Sequence, residues 1–84
     1  MNQDNISKKI KELRKDNNLT QKEFAKQFGV TYQAVSKWEN GINLPEISLI
    51  RQMSKDFNVS VEDILDGEES NENPNNINLT GLFL

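Results

Sequence analysis

The chain contains no cysteine and no histidine. The first absence excludes a disulfide framework and any thiolate metal site. The second removes the commonest general base and the commonest ligand for transition metals. No apolar run approaches the length of a membrane span, and the opening "MNQDNISKK" lacks the apolar stretch of a signal peptide, so the expected address is the cytoplasm with no membrane partner. With no glycine-rich phosphate loop either, no catalytic centre, metal site or cofactor is expected. Eighty-four residues make one small domain at most, with a single modest core.

An overall basic excess is also missing: the formal net charge is −3. The distribution is uneven, however. All ten Lys and Arg lie between Lys8 and Lys55, and up to Lys55 they face six acids for a local balance of +4; the other seven acids lie between Asp56 and Glu72. Local field, rather than total charge, decides what a surface attracts.

The apolar residues that are present fall into five helical patterns. Residues 5–16 place Ile6, Ile10 and Leu13 on one stripe, with Lys8, Lys9, Lys11, Glu12 and Lys15 mostly off it. "DNN" at 16–18 breaks the pattern. In "TQKE", Thr20 and Glu23 have the spacing of a capping box, ahead of Phe24, Ala25 and Phe28 on a short second helix. Gly29 sits where a left-handed C-cap residue is expected. Thr31 caps a third helix running to about Asn40, with Gly41 stopping it. Pro45 suits the first turn of a fourth helix, with Ile47, Ile50, Met53 and Phe57 on one face and Asn58 at its end. Ser60 caps a fifth, with Asp63 as a weaker capping-box partner and Val61, Ile64 and Leu65 facing in; Gly67 closes the domain.

Within "TYQAVSKWENG", at about 100° per residue, Ala34, Val35 and Trp38 share one side, and Gln33, Ser36, Lys37 and Asn40 the other, with Tyr32 at the border. Two helices joined by a short glycine-containing turn, the second with one apolar and one polar face, make a helix-turn-helix. Such a second helix fits the DNA major groove, where Gln pairs bidentately with adenine, Lys meets guanine or phosphate, and Ser and Asn bond base or backbone. Trp38, three residues from Val35, belongs to the core rather than to a base stack.

"LTQKEFAKQFGVTYQAVSKWENGINLPEISLI" resembles the Cro- and phage-repressor-like helix-turn-helix family, also called XRE, over about residues 5–66. The resemblance implies an all-α, compact five-helix bundle of the phage-repressor-like type, a dimeric transcription regulator, usually a repressor, and a double-stranded DNA operator as partner. It implies that Gln21 touches phosphate at the start of the second helix. Thr31, Tyr32, Gln33, Ser36 and Lys37 would occupy the recognition surface, and Asn40 a backbone-contacting position. It also implies that Arg14 and Glu39 form a buried or half-buried salt bridge. Tyr32 departs from members with a smaller polar residue there; its ring suits sugar stacking or contact with a thymine methyl.

The chain thus divides into a DNA-binding domain, 1–66, and an acidic, Asn-rich tail, 67–84, of linker composition. The apolar tip "LTGLFL" reads as a disordered end, a dimer-forming strand or the start of a further domain. The lysines at 8, 9, 11 and 15 read as a solvated face, as do the carboxylates of Glu62, Asp63, Asp66, Glu68 and Glu69, which lack calcium-loop spacing. The competing class is a protein-interaction module, such as an antitoxin or an adaptor, that uses the same fold to bind a partner protein; the low pI and the acidic, apolar tail favour it, and the tail is a further possible contact for a protein partner.

Overall fold

The computed structural model describes residues 3–66, in which five helices and no strand form: α1 Gln3–Asp16, α2 Gln21–Phe28, α3 Tyr32–Glu39, α4 Ile47–Phe57 and α5 Val61–Asp66. The expected all-α five-helix bundle is therefore what forms. Residues 67–84, with the closing role given to Gly67, lie outside the described residues.

Helix ends follow from local chemistry. Thr20 Oγ1 accepts the Glu23 amide at 3.0 Å while Glu23 Oε1 accepts the Thr20 amide at 2.8 Å, so the capping box is reciprocal. Gly29 takes φ +68°, and Val30 and Gly29 donate to the carbonyls of Ala25 and Lys26 at 3.0 and 3.3 Å. These are the two bonds of a left-handed helix stop. The same stop recurs after α3, where Gly41 has φ +72° and Ile42 and Gly41 donate to Lys37 and Trp38. Thr31 caps α3 by accepting the Ala34 amide at 3.1 Å, and Ser60 caps α5 by accepting the Asp63 amide at 2.9 Å. Asn58, φ +56°, ends α4.

One core joins all five helices: Ile6, Ile10 and Leu13 from α1, Phe24, Ala25 and Phe28 from α2, Val35 and Trp38 from α3, Ile50 and Met53 from α4, and Ile64 from α5. Each large apolar side chain so buried contributes about 1.5–3 kcal/mol. Phe57 joins Phe24 and Phe28 in an aromatic trio with ring centroids 4.8–5.9 Å apart. Helix α1 packs against α3 and α5, α2 against α3, and α4 against α5. The position of α3 is thus set by its neighbours on two sides. No helix among the described residues is long and apolar enough to cross a membrane.

Four expectations change. Helix α1 begins two residues earlier, at Gln3. Pro45 is buried ahead of the cap residue Glu46, rather than inside the first turn of α4. Ile47, the first residue of α4, is 52% exposed, so the inward stripe of that helix starts at Ile50. Lys9 also leaves the solvated face assigned to it. Its stem is buried and its ammonium reaches Glu12 at 3.6 Å, as a long amphipathic side chain can do.

Candidate nucleic-acid interface

The sequence divides α3 into two faces, and burial follows that division. Val35 is 0% and Trp38 5% exposed, while Gln33 and Lys37 stand in solvent. Ala34 and Ser36 lie half-buried at the margins. Because Val35 and Trp38 pin the helix to the core, the outer face is held at fixed height and rotation. Rigid presentation of this kind is what a reading surface needs.

Thr31, Gln33 and Lys37 line one side of an open groove of about 490 Å³, with Asn43, Leu44, Pro45 and Glu46 on the other. Its floor is apolar, formed by Val30, Ala34, Trp38 and Leu49. The segment between α3 and α4 thus stands beside the exposed face of α3, and its Ile42 and Leu44 side chains are exposed. Ser36 and Asn40 lie on the next flank. The Asn40 amide turns back along α3, donating to the Ser36 carbonyl at 2.9 Å and its hydroxyl at 3.3 Å. Tyr32, at the first position of α3, is 45% exposed.

Behind this surface lies the ion pair of Arg14 and Glu39. Arg14 Nε donates to Glu39 Oε2 at 2.6 Å and Nη2 to Oε1 at 3.1 Å, while Nη1 donates to the Leu19 carbonyl at 2.9 Å. The side chains are 12% and 3% exposed. The Arg14 pKa is raised by the hydrogen bond to Glu39, against the opposing effect of burial. This fork clamps the end of α3 to α1 and to the turn before α2.

Two features of the site escape sequence reasoning. Gln21, half-buried at the start of α2, donates its Nε2 to Glu39 Oε1 at 3.1 Å. A carboxylate only accepts, so this contact fixes which way the Gln21 amide faces. Lys22, one residue on, places its ammonium 5.4 Å from the centre of the Tyr32 ring. Neither spacing, 18 residues or 10, carries a local signal; each contact depends on how α2 meets α3.

A sequence family described as helix-turn-helix matches residues 10–64. The transcriptional activator BcrR of Enterococcus faecalis is 39% identical over 64 residues, 76% of this chain and 31% of that protein. The antitoxin PezA of Streptococcus pneumoniae is 44% identical over 69 residues, 82% of this chain and 43% of that protein. This chain therefore spans less than half the length of either relative. Among solved structures, the SOS-response transcriptional repressor LexA of Eubacterium rectale superposes with a TM-score of 0.72 at 25% identity, over 94% of this chain and 83% of that one. Matching helices, matching register and matching relatives agree: the chain belongs to the helix-turn-helix family, in its Cro- and phage-repressor-like branch.

Proposed function

We propose that the protein is a sequence-specific DNA-binding transcription regulator, in which residues 1–66 bind DNA and 67–84 form a tail. The observation that carries this reading is the two-faced α3, anchored by Val35 and Trp38 with Gln33 and Lys37 exposed on the side away from the core. Helix α3 enters the major groove. Gln33 contacts a base edge, Lys37 a guanine or phosphate, and Thr31, Tyr32 and Ser36 complete the reading surface. Gln21 and Asn40 contact the sugar–phosphate backbone and set the register. A homodimer places two such helices in successive major grooves about 34 Å apart, and occupancy of promoter DNA represses transcription.

Binding-site selection with the purified chain tests this. The expected product is a sequence with two inverted half-sites centred about one helical turn apart. Gln33→Ala relaxes preference at one base step in each half-site and costs about 1–3 kcal/mol. Lys37→Ala separates two roles: a base contact changes the selected sequence, whereas a phosphate contact weakens all sequences alike and lowers the salt slope by about one. A Gln33→Ala protein with unchanged preference and affinity takes Gln33 out of the reader.

A second reading has support from the likeness to the antitoxin PezA and from the acidic pI of about 4.9. In it, the same bundle binds a partner protein. A chain that retards no DNA but forms a stoichiometric complex with a protein would replace the first reading with this one.

A further inference from the structure

We propose that Lys22 and Tyr32 act on DNA as one unit: Lys22 neutralises a backbone phosphate and, seated on the Tyr32 ring, holds that ring in place to read a pyrimidine methyl at the adjoining base step. The proposal rests on the DNA-binding reading above and adds to it a positioning residue and a ligand feature.

The first argument is the geometry. The Lys22 ammonium lies 5.4 Å from the Tyr32 ring centre, within the roughly 6 Å over which a cation is attracted to an aromatic face. The contact links the second residue of α2 to the first residue of α3. Those are the first turns of the two helices that make up the motif.

The second argument is local cost. A lysine in the first turn of a helix opposes the positive end of the helix dipole. Helix α2 gains nothing from it there, because Thr20 and Glu23 already satisfy the N-terminus through the capping box. A local rule broken without a folding benefit is characteristic of a functional position. The ring face offers the ammonium one attractive surface without consuming its three N–H donors, which stay available for a phosphate oxygen.

The third argument concerns discrimination. Tyr32 is 45% exposed, at the first position of α3 and next in sequence to Thr31 and Gln33. A ring free to rotate meets every base alike. A ring with one face occupied by a cation has its orientation restricted before DNA arrives, and such preorganisation is what turns contact into specificity. The free edge then offers apolar contact, for which the thymine 5-methyl is the matching major-groove feature.

The test starts from the sequence selected by the wild-type chain. On it, Lys22→Met, Lys22→Arg, Tyr32→Leu and the Lys22→Met/Tyr32→Leu pair are compared across a salt series and a base-substitution series, with thermal melts to verify folding. Lys22→Met is expected to lower the log–log salt slope by about one and to reduce discrimination roughly fivefold or more at the step that Tyr32→Leu relaxes. Lys22→Arg restores both, since guanidinium keeps the charge and the ring contact. The double variant discriminates at that step no worse than Tyr32→Leu alone. Uracil in place of thymine there weakens the wild type and leaves Tyr32→Leu unaffected. Lys22→Met with full discrimination at the Tyr32 step, with or without a changed salt slope, overturns the proposal. A wild-type chain that selects no sequence removes the DNA reading and this pairing together, whereas one that selects normally but ignores Lys22 removes the pairing alone.

Discussion

Glu39 receives three donors on a carboxylate that is 3% exposed: two from Arg14 and one from Gln21. Removing Arg14 leaves that charge buried with a single neutral donor. Loss of one partner of a buried pair costs about 3–5 kcal/mol, and most of that is the orphaned charge rather than the lost attraction. Arg14→Met is therefore expected to lower the urea midpoint by about 1 M or more, given slopes of about 1–3 kcal/mol/M for small domains. Arg14→Met/Glu39→Leu should recover at least half of the loss, because an apolar pair of similar volume carries no unpaired charge. A double variant as unstable as the sum of the two singles would show that Arg14 and Glu39 act independently, with neither their attraction nor an orphaned carboxylate carrying the stability. The pH dependence follows from the sign of the Arg14 shift. A base whose pKa is raised on folding stabilises the fold below its unfolded value, and the contribution disappears only as pH climbs through the folded value. For a guanidinium that lies far into alkali, so its share of the stability is constant across the neutral range. Family resemblance alone brought Arg14 and Glu39 together in the sequence, whereas the third member, Gln21, became visible only when the start of α2 met the end of α3.

At the scale of elements, what could be read in advance is what one or two neighbouring residues decide. Thr20 with Glu23, Gly29 at positive φ, Thr31 and Asn58 all mark helix ends where they were expected. The inward faces of α1 and α3 were likewise legible, because period 3.6 needs only the residue types. What periodicity fixes is direction around a helix axis, not whether a neighbour extends far enough to cover that point. Ile47 follows the stripe of α4 but stands at its first position and stays 52% exposed. Pro45 suits a first turn by its own preference, but Glu46 takes the cap position one residue later. Thr31 caps α3 and, in the proposed function, also belongs to the reading surface, and substitution can separate the two. Thr31→Ala removes the bond to the Ala34 amide and should cost about 1 kcal/mol. Thr31→Asp keeps a cap acceptor and suits the helix dipole, so thermal stability holds or rises. The added negative charge on the reading surface should nevertheless weaken DNA binding. Affinity equal to wild type for a stably folded Thr31→Asp protein would place Thr31 away from the phosphates.

Across the whole molecule, charge is separated along the sequence: ten basic against six acidic residues up to Lys55, then seven acids from Asp56 to Glu72. For the proposed DNA binding, a chain of net charge −3 must present a local field that differs from its total. The exposed cations Lys22 and Lys37 lie on the surface of the first two turns of α2 and α3, and the principal buried acid nearby, Glu39, is already neutralised by Arg14. In the proposed complex Lys22 and Lys37 supply positive charge at the interface, opposed by the exposed Glu23 and Glu46, while the acids at the far end of the chain would repel the same polyanion. Acids outside the contact act on DNA at long range, and salt screens long-range effects first: the Debye length is about 10 Å at 0.1 M and about 3 Å at 1 M. Glu68→Gln/Glu69→Gln/Glu72→Gln is thus expected to raise the association rate for DNA at low salt, with little change in the dissociation rate, since charge outside the contact acts on encounter. The advantage should shrink steadily as salt rises, and the base preference of the selected site should not move. Stopped-flow association at a series of salt concentrations measures both. A faster dissociation rate, or an altered selected sequence, would mean that these acids take part in the bound complex and do not merely shape its approach.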